Sequence, residues 1–142
     1  MIKKIYDLSD QILGRISTRI AKDLLKTENV VIVNCEKAIL SGTKKDKFKL
    51  YSQRVVRGDP HHGPFYPRTP DGIVRRTVRG MLPFYKVRGQ EALRRLKVYI
   101  GIPDEFKNKQ FIRVEEFDVN KLKCKYITIG DLSVALGAKK RW

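Results

Sequence analysis

The stretch KIYDLSDQILGRISTRIAKDLLKTENVVIVN, residues 4–34, decides the fold class. At its centre Leu13, Ile16, Ile20 and Leu24 recur at intervals of three and four, the period that lines one face of an α-helix. Arg15, Arg19, Lys22 and Lys26 follow the same interval on the opposite side, so a basic line runs along the exposed face. Lys4–Leu8, ahead of this helix, reads as a short strand. Behind it Thr27-Glu28-Asn29 breaks the pattern, and Val30–Asn34 carries the continuous β-branched run of a strand covered on both faces. Strand, helix and buried strand make a βαβ unit, which demands parallel pairing and a right-handed crossover. The expected class is α/β, with helices packed on a small parallel sheet.

Working outward, Ala38–Gly42 reads as a short apolar piece ending in a turn. Its Ser41-Gly42 pair lacks the glycine spacing of a phosphate-binding loop. From Thr43 onward Lys44, Lys45, Lys47, Lys49 and Arg54 interleave with Phe48, Leu50, Tyr51 and Val55, a helix with a minor apolar face and a broad surface for a polyanion. Arg57–Thr69 holds Pro60, Pro64 and Pro67 among Gly58, His61, His62, Gly63, Phe65, Tyr66 and Arg68, with Pro70 next. Proline at that density excludes helix and sheet and leaves a stiff extended loop. Aromatic and arginine side chains in such a loop suit stacking on unpaired bases and contact with phosphates.

Pro70-Asp71 opens a further helix, with proline in the first turn and an acid at the positive end of the dipole. Steps of 100° put Ile73, Val74, Thr77, Val78, Met81 and Leu82 in one half-circle and Arg75, Arg76 and Arg79 in the other. Gly80 and Pro83 end it. Residues 84–89, Lys86 and Arg88 among them, lead to a second helix over Gln90–Lys97, with Arg94, Arg95 and Lys97 outward. Val98–Pro103 reads as a strand with a turn, Phe111–Phe117 as an edge segment and Tyr126–Ile129 as a last strand. Leu132–Leu136 is a short helix that Gly137 closes, and residues 139–142 form a basic, mobile tail. No repeat or linker divides the chain, so residues 1–142 read as one domain.

Charge narrows the function. The 142 residues carry a formal +16, and the excess is concentrated: residues 44–97 hold 15 Lys and Arg against four acids, whereas the flanking thirds mix signs. A polyanion relieves the self-repulsion of such a segment and gains the entropy of released counterions, so nucleic acid is the expected partner. No apolar run approaches the length of a membrane span, and Met1–Asp7 lacks the apolar core of a secretory signal. The expected location is the cytoplasm. Cys35 and Cys124 are far apart with no paired-ligand spacing, so neither zinc nor a disulfide framework is expected; each reads as a small apolar side chain at the edge of a core element.

The residues around the third helix carry a resemblance. Val78-Arg79-Gly80-Met81-Leu82-Pro83, Arg88-Gly89 and Ala92–Tyr99 are similar to the signature of the ribosomal protein L13 family. Leu13–Ser17, Ile20-Ala21-Lys22, Val31–Asn34, Glu36-Lys37-Ala38, Ser41-Gly42 and Gly63-Pro64-Phe65 support it in order, from about residue 6 to residue 103. Tyr99–Pro103 and the proline-rich loop resemble the archaeal or eukaryotic branch, and Phe84-Tyr85 stands where the family has more basic or small residues. The resemblance implies a three-layer α/β/α fold around a small, mostly parallel sheet. It also implies a cytoplasmic protein of the large ribosomal subunit that binds large-subunit (23S-type) rRNA beside neighbouring large-subunit proteins and supports rRNA folding and subunit assembly. Family contacts to RNA fall here on Lys44, Lys45, Arg54, Arg57, Arg68, Arg75, Arg76, Arg79, Arg88, Arg94 and Arg95. Lys47, Lys49, His61, His62, Lys86 and Lys97 join them as candidate RNA-binding residues from the basic middle third.

A ribonuclease would need His61 and His62 to flank one phosphate, yet adjacent side chains of an extended segment point to opposite sides and the chain has no third histidine. Asp104-Glu105 and Glu115-Glu116 lie in charged, exposed stretches without the apolar surroundings that raise a carboxyl pKa. No catalytic residues, metal, cofactor, membrane or small-molecule substrate are expected. The alternative function is an extraribosomal RNA-binding regulator of translation using the same basic surface.

Overall fold

The computed structural model describes residues 3–142; Met1 and Ile2, which open the N-terminal stretch read above, lie outside the described residues. The βαβ unit forms as expected. Strand β1 (Lys3–Asp7) leads into helix α1 (Leu13–Leu25) and returns as strand β2 (Asn29–Val33), parallel to β1 with Ile5 opposite Val31 and Asp7 opposite Val33. Leu13, Ile16, Ile20 and Leu24 are buried, and Arg15, Arg19, Lys22 and Lys26 face solvent. Val30–Val33 are buried on both faces of the sheet.

Asn34 takes a left-handed conformation (φ 53°) that turns the chain into a short 3-10 turn, Cys35–Lys37. Strand β3 (Ile39–Ser41) and helix α2 (Lys44–Val56) follow. Thr43 caps α2 by accepting the Asp46 amide at 3.2 Å. The loop then carries the chain to helix α3 (Pro70–Met81) and on to helix α4 (Val87–Arg94). Strand β4 (Leu96–Val98) completes the three-stranded parallel sheet, in the order β1-β2-β4.

Helix α4 and β4 differ from their expected bounds. The helix begins at Val87 rather than Gln90, and Leu96 and Lys97, expected at its end, belong to the strand. The cause is the ladder: Leu96 pairs with Val30 and Val98 with Ile32, and the Val30 amide reaches the Arg95 carbonyl at 3.3 Å. Burial of Leu96 and a filled edge of β2 outweigh one more helical turn. The expected strand over Val98–Pro103 therefore ends at Val98.

Helices α1, α3 and α4 cover one face of the sheet. They share a core in which Tyr6, Ile16, Ile20, Ile73, Val74, Val78 and Ala92 pack around Val30 and Ile32. The other face buries Ile5, Val31 and Val33 under Phe106, Tyr99 and Phe111. One outer layer is thus helical, while the other is an irregular run with a 3-10 turn at Asp104–Phe106. Ile112 touches the edge of β1 through a single parallel bridge to Tyr6, and Glu115–Phe117 is again a 3-10 turn. Strand β5 (Tyr126–Thr128) pairs antiparallel with β3 in a separate two-stranded ladder, and Ile129 begins helix α5 (Ile129–Ala135). Gly137 (φ +96°) follows that helix in the left-handed region.

Two further expectations are corrected. The last residue folds back, the Trp142 indole lying so close to Gly130 that a Cβ there would sit 3.0 Å from Nε1, while residues 139–141 stay exposed. Cys35 is buried as expected, and burial pushes its thiol pKa up, but Cys124 is exposed rather than at a core edge.

Candidate nucleic-acid interface

The surface of interest joins the end of α2, the proline-rich loop, α3 and the turn before α4. Helix α2 buries one side chain, Tyr51, whose ring forms the floor. Burial raises its phenol pKa, which keeps it neutral. Tyr66 from the loop meets Tyr51 edge-on, with ring centroids 5.8 Å apart and planes at 77°. Three guanidinium groups lie over these rings and their neighbour. The Arg54 Cζ is 5.1 Å from the Tyr51 centroid and 5.8 Å from that of Tyr66. The Arg76 Cζ is 4.7 Å from Tyr66, and the Arg79 Cζ is 3.9 Å from Phe84. Attraction of a cation to a ring face uses no N–H donor, so donors remain to grip a phosphate with two parallel hydrogen bonds.

These groups line connected concavities. A groove of about 470 Å³ lies between Arg54, Arg57, Tyr66 and Arg76. It shares Arg76 and Gly80 with a second groove beside Arg79, Phe84 and Tyr85. It shares Arg57, Pro64 and Tyr66 with a third, along Phe65 and Arg68. The loop holds its shape through a tight turn in which Asp59 and Gly63 exchange backbone hydrogen bonds at 3.1 and 2.9 Å. Gly58 permits this closure, since a Cβ there would lie 2.5 Å from the Gly63 carbonyl oxygen. Arg68 is tied to α5, its carbonyl accepting from the Ser133 hydroxyl.

The expected RNA-binding residues divide into groups. Arg54, Arg57, Arg68, Arg76 and Arg79 gather around the grooves. His61 and His62 are exposed on the adjoining turn, where the His62 Nδ1 lies 3.4 Å from an Asp59 carboxylate oxygen. Lys44, Lys45 and Lys49 are exposed towards the start of α2, and Lys47 folds over Gly42. Lys44 stands ten residues from Arg54, about 15 Å along a helix. Lys86, Arg94 and Lys97 are exposed beyond the grooves.

Arg75, Arg88 and Arg95 have a different occupation. Arg75 donates to the Leu96 carbonyl at 2.7 Å and to that of Leu93 at 3.2 Å, at the end of α4. Arg88 and Arg95 donate to the Leu25 and Leu24 carbonyls, at 3.3 and 3.0 Å, in the last turn of α1. Leu24, Leu25 and Leu93 lie in the last turns of α1 and α4 and Leu96 opens β4, so these three arginines tie helix ends and the α4–β4 junction together. Sequence reasoning did not separate them from the groove arginines. It also left Tyr51, Phe84 and Tyr85 out of the site, although the alternation of aromatic with arginine residues was a visible signal.

Counter-charge is sparse here. Among the described residues, the ion pairs are those of Lys4, Lys107 and Arg113, plus His62 with Asp59; none neutralises an arginine or lysine of α2, α3 or α4. Nor do the described residues include a cluster of His, Cys, Asp and Glu able to hold a metal ion, and no helix is long and apolar enough to cross a membrane.

Fold and surface together define a basic α/β protein with a preformed, uncompensated arginine surface. Comparison with known proteins agrees. Residues 3–105 match the family model described as ribosomal protein L13. A protein of Methanococcoides burtonii named large ribosomal subunit protein uL13 is 46% identical over 136 residues, covering 95% of this chain and 98% of the relative. Its namesakes from Archaeoglobus fulgidus and Sulfolobus acidocaldarius are 43% and 45% identical, covering 94% and 96% of this chain and 86% and 95% of their own lengths. The chain belongs to the ribosomal protein L13 family, whose members are structural ribosomal proteins and not enzymes.

Proposed function

We propose that this chain, acting as one unit over residues 1–142, is a structural constituent of the large ribosomal subunit in the cytoplasm. It binds large-subunit rRNA, contacts neighbouring large-subunit proteins and supports rRNA folding during assembly. The observation that carries the reading is the set of arginines over aromatic rings along connected grooves, with no ion pair to a carboxylate among the described residues. Guanidinium groups so placed meet phosphates without first losing rotamer freedom. Neutralising phosphates that folded RNA crowds together lowers the repulsion between its helices. The shared name of the relatives supports this reading.

Sedimentation of the endogenous protein from lysate tests it, after a wash at roughly 0.5 M salt, where weak phosphate contacts dissociate. Co-migration with large subunits that survives the wash and ends on ribonuclease digestion is the expected result. Release as a free small protein overturns it and favours the extraribosomal regulator.

A further inference from the structure

Two aromatic rings at the grooves have no structural work to do. Tyr85 is 100% exposed, on the turn that lines the second groove, and Phe65 is 71% exposed in the third. Both project from turns whose backbone is held in place. Phe65 is backed by Gly63, where a Cβ would sit 3.1 Å from its ring. The Tyr85 turn is closed by Phe84 N–H to Leu82 at 2.8 Å and Lys86 N–H to Pro83 at 3.0 Å. It also rests on Gly89, where any Cβ would lie 2.1 Å from the Pro83 carbonyl oxygen. Between the two rings run Arg57, Arg76 and Arg79.

Resting on the RNA-binding reading above, we infer that this track takes an unpaired stretch of RNA, with Phe65 and Tyr85 stacking on splayed bases at its two ends. A duplex offers phosphates to the arginines but keeps its base faces stacked inside the helix, so it leaves both rings in water. An unpaired strand presents phosphates and base faces alternately. Rigid turns that hold aromatic faces open beside unneutralised arginines match that alternation. A protein partner would need acidic side chains to meet the arginines, and the charged residues of the central groove are all arginine, Arg54, Arg57 and Arg76.

The test compares a 12-nucleotide single-stranded RNA with a 12-base-pair RNA duplex at one salt concentration, against the full chain and its variants. The single strand carries 2-aminopurine, whose fluorescence is quenched on stacking. The single strand is expected to bind about tenfold more tightly than the duplex and to be quenched. Phe65→Ala with Tyr85→Ala is expected to lower its affinity about tenfold and relieve the quenching, while duplex affinity and salt slope hold. Both side chains are exposed, and an unchanged melting temperature verifies the fold. Equal binding of the two RNAs, or a double variant that affects both alike or neither, overturns the inference and leaves phosphate binding standing. Failure of both RNAs to bind, or indifference of both to Arg76→Gln with Arg79→Gln, overturns the RNA-binding reading as well.

Discussion

Arg75 and Arg76 are neighbours on one helix, yet they belong to two regions with opposite chemistry. At the junction of α1, α3 and α4 the guanidinium groups of Arg75, Arg88 and Arg95 are spent on carbonyls at helix ends. On the face shared by α2, α3 and the loop, Arg54, Arg76 and Arg79 lie over rings and are not held by backbone carbonyls among the described residues. An arginine hydrogen-bonded to the fold's carbonyls gives part of its donor set to the fold. One stacked by its face is supported by the fold and remains available. The difference lies in what each side chain finds within reach, an unpaired carbonyl or an aromatic ring.

The sharpest way to break this comparison is to remove the stacked set. Arg54→Ala, Arg76→Ala and Arg79→Ala together are expected to lower rRNA affinity about a hundredfold or more near 0.1 M salt and to flatten its dependence on log salt by about two to three units. Thermal unfolding is expected to stay within about 2 °C of the parent. A filter-binding salt series with a melt on the same samples measures both.

Arg75→Ala is the counterpart. Loss of two charge-assisted hydrogen bonds at the partly exposed junction of α4 and β4 is expected to cost about 1–2 kcal/mol, a fall of roughly 3–7 °C in Tm for a chain of this size, with affinity changed less than about threefold. Urea denaturation monitored by circular dichroism checks the stability. A large loss of affinity without loss of stability would return Arg75 to the binding face.

A third effect is confined to acid and to the structural side. Asp23 is buried and accepts the Tyr6 hydroxyl at 2.5 Å, with the Lys4 ammonium 3.3 Å away. Burial by itself would raise its pKa, but the Tyr6 hydrogen bond and Lys4 outweigh burial and hold it below the usual carboxylate range. A depressed folded-state pKa contributes stability above the ordinary Asp value, about 3.9, and that contribution is lost as pH falls through the lower folded value. Asp23→Asn is expected to flatten stability against pH below about pH 4, and the triple arginine variant is expected to leave that limb unchanged. The smallest effect expected is that of His61→Ala with His62→Ala, within about 0.5 kcal/mol in stability and about twofold in affinity, since both side chains are exposed at the groove margin.

Much of this was legible in the residues. The interval of Leu13, Ile16, Ile20 and Leu24 and the run Val30–Val33 specified the βαβ unit, because periodicity and β-branching act locally. The helices over 44–56 and 70–81 were legible for the same reason, and the excess of 15 basic over four acidic residues across residues 44–97 marked the segment that carries the candidate interface. The end of α4 was not, because Leu96 becomes a strand residue only when β2 offers it a free edge. Trp142 read as mobile because its contact, Gly130, sits on an element it could not be assigned to from sequence spacing.

By itself, then, the sequence determined the α/β class, the amphipathic helices, the stiff loop and the sign and place of the charge. Each of these follows from residue type and interval alone. Tertiary structure decided which arginines are free. Arg75 meets Leu93 and Leu96 across 18 and 21 residues, Arg95 meets Leu24 across 71, and Arg76 meets Tyr66 from another element. A guanidinium has the same charge in all these places, and only the folded chain determines whether a carbonyl or a ring lies beside it.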